Sequence, residues 1–212
     1  PEGADGAVGH PRYHDGPAHR TDRGQPAGPP VQGFRWSRGR GCYRFTLVPR
    51  ADEVESYVAA QFERAEQGLV PFAQLRLADG RAVGCTAYWD PRYWPGRERV
   101  DLRAVEIGFT WLAGSAQGSG INTEAKLLLL RHAFESLRVA RVDLKTDARN
   151  ERSRRALEAL GVRFEGILRN WSMSWAPGEQ NRLRDSAMYS VITSEWASCQ
   201  THLLQRLRRV NG

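Results

Sequence analysis

The residues best suited to chemistry lie between Val105 and Ala125. Apolar side chains alternate along residues 102–112, which predicts a strand with Val105, Ile107, Phe109 and Trp111 on one face and Glu106, Gly108 and Thr110 on the other. A carboxylate so placed can take a proton from a nucleophile, or it can hold an arginine or a cationic substrate without taking one. The residues that follow, Gln117-Gly118-Ser119-Gly120-Ile121-Asn122, form a glycine-bearing turn entering a helix. Glycines let main chain wrap closely around an anion, and the free amides of a helix start present the positive end of its macrodipole. This reads as a pyrophosphate cradle, and equally as a packing device. Two other phosphate loops do not fit. A P-loop needs Gly-Lys-Ser/Thr where this chain has Gly120-Ile121-Asn122, and the dinucleotide fingerprint needs a glycine spacing absent here.

The surrounding periodicities predict the elements that position these groups. Tyr43, Phe45 and Leu47 alternate as in a first strand, stopped by Pro49. A helix capped by Asp52 carries Val54, Tyr57, Val58, Gln61 and Phe62 as one apolar face and ends at Gly68. Strands at 72–77 and 82–89 form a hairpin about Asp79-Gly80, and residues 88–95 read as an aromatic, proline-punctuated loop. The helix after the glycine turn buries Leu127, Leu130, Phe134 and Leu137. A strand with Val142, Leu144 and Thr146 leads to a helix running from a capping Asn150 to Gly161. An antiparallel pair, 162–175 and 185–192, and a basic helix, 194–209, complete the chain.

Motifs in this order resemble the GNAT family, nearest in pattern to its RimJ/RimL branch. Gln117 and Gly120 match the family's Gln/Arg-x-x-Gly-x-Gly/Ala signature, from which Asn122 departs. Asp147-Ala148-Arg149-Asn150-Glu151-Arg152-Ser153 with Leu160-Gly161-Val162-Arg163-Phe164-Glu165-Gly166 looks like the second block. Arg184-Asp185-Ser186-Ala187-Met188-Tyr189-Ser190 and Glu195-Trp196 are typical of the branch, so the likeness covers about residues 41–196.

The resemblance implies an α/β (α+β) acyl-CoA N-acyltransferase fold. Its mixed central sheet would be flanked by helices and splayed between the fourth and fifth strands, here 102–112 and 142–146. Acetyl-CoA would be the co-substrate, with no metal. Pantetheine would lie in the gap, bonded to main chain at Phe109, Thr110, Trp111 and Leu112. Gln117, Gly118, Ser119, Gly120 and Ile121 would hold the pyrophosphate, with Asn122 narrowing the cradle or adding an amide contact.

Glu106 resembles the family's general base, often acting through water. Asn150 resembles the asparagine that bonds pantetheine, a role compatible with helix capping. Many relatives place a tyrosine acid seven residues after that asparagine, but Leu157 stands there in this chain. Ser153, also near the cofactor, is then a candidate acid or a structural hydroxyl. Tyr189 is a second candidate acid or a core aromatic, and protonation by solvent or by the new ammonium stays open. Tyr88, Trp89, Trp94 and Trp171, with Tyr93 and Trp175, would wall an acceptor pocket, some of them being core. Arg152, Arg154 and Arg155 attract phosphates or form a solvated face.

Composition narrows the classes. The 212 residues, 41% hydrophobic and 26% charged, suit one domain at 40–197 between a flexible leader, 1–39, and a basic helical tail, 198–212. No apolar run is long enough to span a membrane, and the polar start is no signal peptide, so a cytoplasmic protein is expected. Cys42, Cys85 and Cys199 have no ligand spacing and read as reduced thiols, and His10, His14 and His19 read as solvated rather than metal-binding. The charge of +7 comes almost wholly from arginine, Lys126 and Lys145 being the only lysines, and several arginines sit in the tails. A nucleic-acid partner is therefore disfavoured against a local anion patch.

The expected activity is transfer of acetyl from acetyl-CoA to a primary amine, on a small molecule or a protein N-terminus, in a direct ternary complex. Homodimerisation is compatible with it. The rivals are another donor such as succinyl-CoA, a non-catalytic acyl-CoA sensor, and a ribosome- or nucleic-acid-associated module.

Overall fold

The computed structural model describes residues 43–46, 48–96, 100–176 and 178–211. The expected leader with its histidines, together with Cys42 and Leu47, lies outside the described residues. The first α-helix, α1 (Val54–Ala65), is preceded by a 3-10 turn, Ala51–Glu53. Glu53, not Asp52, closes that start, its carboxylate accepting the Arg50 amide at 2.8 Å. Gly68 ends the helix with φ +98°, a left-handed conformation that glycine adopts without strain. The buried stripe of α1 differs from the expected one. Tyr57, Gln61 and Arg64 turn inward, while Val58 and Phe62 are exposed. Residues 43–46 form a turn, not the expected first strand. The side chain of Tyr43 explains this, because its hydroxyl donates to the Leu112 carbonyl instead of the segment joining a ladder.

Among the described residues six strands therefore make the sheet, in the order β1-β2-β3-β4-β6-β5. β1 (Val70–Arg76) and β2 (Arg81–Pro95) form the hairpin, its Asp79-Gly80 turn clamped by an Arg76–Asp79 ion pair. The stretch 88–95, expected as a loop, instead continues β2 against β3 (Val100–Leu112), with Arg92 opposite Ala104 and Pro95 opposite Val100. Asp90, at φ +49°, sits in a bulge that also absorbs Pro91, so the missing proline N–H breaks no ladder. β3 is parallel to β4 (Arg141–Asp147), and β6 (Leu183–Ile192) joins β4 and β5 (Arg163–Met173) by antiparallel pairing.

The core lies where α2 (Ile121–Arg131) and α4 (Trp196–Asn211) cover this sheet. Leu130, Val142, Tyr189 and Leu203 are wholly buried there, and Phe134 stacks on Trp196. After α2 the turn widens over His132–Ser136, with the Leu137 amide bonding back to the His132 carbonyl. The extra residue per turn rotates the stripe, so Ala133 and Phe134 are buried and Leu137, expected inside, sits at the rim. Among the described residues no helix is long and apolar enough to cross a membrane.

Candidate active site

The parallel pairing of β3 with β4 is short. It joins Ala104–Glu106 to Arg141–Asp143 and goes no further, although on their other edges β4 stays paired with β6 as far as Asp147 and β3 with β2 as far as Leu112. The two strands part beyond Glu106, and a cleft of about 660 Å³ opens between them. A cleft of this volume can enclose a ligand of cofactor size.

A bulge sets what faces the cleft. Phe109 has φ +52°, and the β2–β3 register slips between Gly108 and Trp111. An extra residue in one strand inverts the alternation beyond it. Trp111 therefore does not share the face of Val105 and Ile107 as the sequence pattern predicts. Its indole donates to the Tyr57 hydroxyl of α1 at 2.8 Å, while Thr110 turns to α2 and accepts from the Lys126 ammonium at 2.6 Å. Phe109, Thr110, Trp111 and Leu112 all line the cleft. The Leu112 carbonyl is already engaged by Tyr43 at 2.5 Å and Gln117 at 3.0 Å, so the main chain left for a ligand is nearer Phe109.

The glycine turn closes one end. Gly118 has φ +76°, where an L side chain costs about 1–2 kcal/mol. Gln117 ties the turn to β3, and its amide oxygen accepts from Arg152 of α3 (Glu151–Glu158). Gln117, Gly118 and Asn122 face the cleft, and Asn122 Oδ1 is buried without a hydrogen-bond partner. Ser119, Gly120 and Ile121 build the turn behind them, Ser119 Oγ donating to the Ala116 carbonyl at 2.6 Å. Asn150 caps α3 by accepting the Ser153 amide at 3.1 Å, and both residues line the cleft.

Glu106 sits at the floor where the strands part, 5% exposed. Its Oε2 pairs with the Lys145 ammonium of β4 at 2.5 Å. Burial pushes the carboxyl above the usual carboxylate range; Lys145 offsets part of this, and Asp90 and Asp143 add to it. Its Oε1 occupies the space over Gly108, where an added Cβ would lie 2.8 Å from it.

The family model described as the Acetyltransferase (GNAT) domain matches residues 33–163, more than half the chain. The chain belongs to the GNAT acetyltransferase family. It is 35% identical over 154 residues to a Bacillus subtilis (strain 168) protein provisionally named as the ribosomal N-acetyltransferase YdaF, covering 73% of this chain and 71% of that one. A crystal structure from T. thermophilus, provisionally named an acetyltransferase, has 36% identity and a TM-score of 0.63 over 80% of this chain and 84% of that one. Mycobacterium smegmatis RimJ in complex with CoA-disulfide has 27% identity and a TM-score of 0.55 over 72% of this chain and 67% of that one.

This acetyltransferase does not bring every expected site residue to the cleft. Tyr189 is wholly buried away from it, donating to Glu158 at 3.0 Å and packed on Phe164, which corrects its placement as a candidate proton donor. Tyr88 is likewise core, its hydroxyl bonded to the Leu129 carbonyl. Trp94, Trp171 and Tyr93 are exposed at sheet positions outside the cleft lining, and of the six predicted wall residues only Trp89 and Trp175 reach it, each edge-on to Phe109. Lys145, Lys126, Gln61, Arg64 and Arg184 line the cleft unforeseen. A glutamine on the apolar stripe of α1 was the one local signal available for any of them.

Gly108 gives a sharp test of how the carboxylate is placed. Gly108→Ala is expected to fold, because the Cβ meets a side-chain end and not main chain, yet to lose roughly tenfold to a hundredfold in acetylation rate as Glu106 is displaced. Circular dichroism and initial rates check it. Unchanged rates would mean that the position of Glu106 does not matter.

Proposed function

We propose that the chain transfers the acetyl group of acetyl-CoA to a primary amine by direct attack in a ternary complex, with Glu106 as the general base. The observation that carries this is the β3–β4 split, with a positive-φ glycine turn at one end and a buried carboxylate at its floor. The residues suit the co-substrate. Gly118 and the α2 start offer main-chain amides to a pyrophosphate, Asn122 Oδ1 lacks a partner, and β3 beyond Glu106 has an open edge for an extended arm. The relatives named for ribosomal acetylation and for CoA binding support an acyl-CoA enzyme, a protein N-terminus among its acceptors and a cytoplasmic location.

In this reading Glu106 takes one proton from the incoming ammonium. The neutral amine adds to the thioester carbonyl, polarised by a main-chain amide near Phe109, and the C–S bond breaks. The amine's second proton ends on the thiolate sulfur. Ser153 lines the cleft and would hydrogen-bond that sulfur, whereas Leu157, also lining it, offers no proton. Thiol release by purified protein across a panel of amines tests the proposal. Release with acetyl-CoA above that with succinyl-CoA is expected. Tight CoA binding with no release for any amine would favour a sensor, and faster release with succinyl-CoA would change the donor.

A further inference from the structure

The charged lining of the cleft is lopsided. Among the described residues, Arg64, Lys126, Lys145, Arg152 and Arg184 face Glu106 alone. Three of these cations have work elsewhere. Arg152 bonds Gln117 at the cradle, Lys126 holds Thr86 and Thr110 beneath β3, and Lys145 is paired with Glu106. Arg64 and Arg184 remain. Among the described residues neither has a carboxylate within ion-pair distance.

Each is held by a neutral neighbour. Arg64 lies over the Trp175 ring at 5.7 Å, and that ring meets Phe109 edge-on at 6.3 Å. Arg184 is fixed on Ser172 Oγ at 3.1 Å, and burial lowers its pKa, with Asp147 and Glu106 close enough to act against this. One turn before Arg64, Gln61 is 5% exposed and both of its amide atoms lack partners. A buried amide without partners is costly, and Gln61 lines the same cleft as two guanidinium groups without ion pairs, a lining suited to an oxygen-rich anion. Outside the lining, Asp147 is close enough to act on Arg184 but is itself paired with Arg149 at 2.7 Å. A polyamine or polycationic amine would meet like charge here.

We infer that the acceptor is an amine carrying its own carboxylate, gripped by Arg64 and Arg184 with Gln61 beside it, its apolar part against Trp89, Phe109 and Trp175. The inference rests on the acetyltransferase reading and names the substrate class of that site. The carboxylate belongs to a free amino acid or to an acidic residue next to a peptide N-terminus, and the experiment separates the two.

CoA-saturated protein is titrated with L-phenylalanine, with L-phenylalaninamide, and with short peptides beginning Ala-Asp or Ala-Asn. At least one acid is expected to bind about tenfold or more tighter than its neutral partner, the scale of a charge-assisted bond. Which pair shows the gap identifies the source. Arg64→Gln and Arg184→Gln are each expected to remove most of that gap while changing affinity for the neutral partner by about twofold or less and leaving CoA binding in place. Equal or undetectable binding of both acids beside their neutral partners, or equal losses for acid and neutral ligand in the variants, overturns the inference alone. Wild-type protein that fails to bind CoA overturns the acetyltransferase reading, and this inference with it.

Discussion

Glu106→Gln is expected to lower the turnover of amine acetylation by about a hundredfold to ten-thousandfold, the range for loss of a general base, with CoA binding retained. The amide keeps the shape over Gly108 but cannot take the ammonium proton. It also leaves Lys145 without its partner, and breaking a buried pair costs about 3–5 kcal/mol when the remaining charge is fully desolvated. The Lys145 side chain is 15% exposed, so a smaller loss is expected, and the assay belongs well below the variant's melting point. The pH profile separates catalysis from scaffolding. In the wild type, activity should fall on the acid side as Glu106 is protonated, at a pH above the usual carboxylate range because burial raises the carboxyl. The limb should vanish in Glu106→Gln. In Lys145→Met it should move to higher pH, because the ammonium that favours the charged carboxylate is gone. If Glu106 served only to anchor Lys145, both variants would lose similar activity and neither would move the limb.

How much of this was legible in the sequence depended on the range of the interaction involved. The glycine turn, the Asn150 cap and the α3 stop at Gly161 are local devices whose residue types state their conformations, and the structure places them as read. The sheet and its split followed from several motifs in one order, each weak alone. What failed was decided by distant partners. Tyr43 alternates like a strand residue, but its hydroxyl is bonded sixty-nine residues away. The stretch 88–95 carries two prolines and reads as loop until the Asp90 bulge lets it pair with β3. A one-residue slip at Phe109 then sends Thr110 and Trp111 to the faces opposite those the alternation predicts. The cations of the cleft come from α1, α2, α3, β4 and β6, and no spacing along a chain reports that they meet.

Lys126 carries the second large effect, and it concerns stability. The side chain is wholly inside, 2% exposed, with hydroxyl partners only, Thr86 at 2.9 Å and Thr110 at 2.6 Å. Burial lowers its pKa from 10.5 to about 7, with Cys85 nearby pulling the other way. The titratable group acting on it is Cys85, which is itself beside Tyr57, and burial raises both, so neither offers an anion at neutral pH. The unfolded chain keeps this proton up to about pH 10.5, while the folded protein releases it near 7. Between those values the unfolded state binds more protons, so the stability of the wild type rises with pH across that window and is lowest below it.

At about 1.4 kcal/mol per pH unit the penalty below pH 7 is at most about 5 kcal/mol. Lys126→Met removes the charge and leaves the two threonine hydroxyls bonded to each other at 2.9 Å. A net gain of about 2 kcal/mol at pH 6 is expected after lost hydrogen bonds, comparable with replacing buried charge by apolar groups elsewhere. For a chain of this size that raises Tm by about 4–8 °C, and the advantage should shrink steadily towards pH 9. Melting curves across that range check it. A variant less stable than the wild type at every pH, or a gap that does not narrow as pH rises, would show that Lys126 stays charged in the fold and is held by its hydroxyl partners after all.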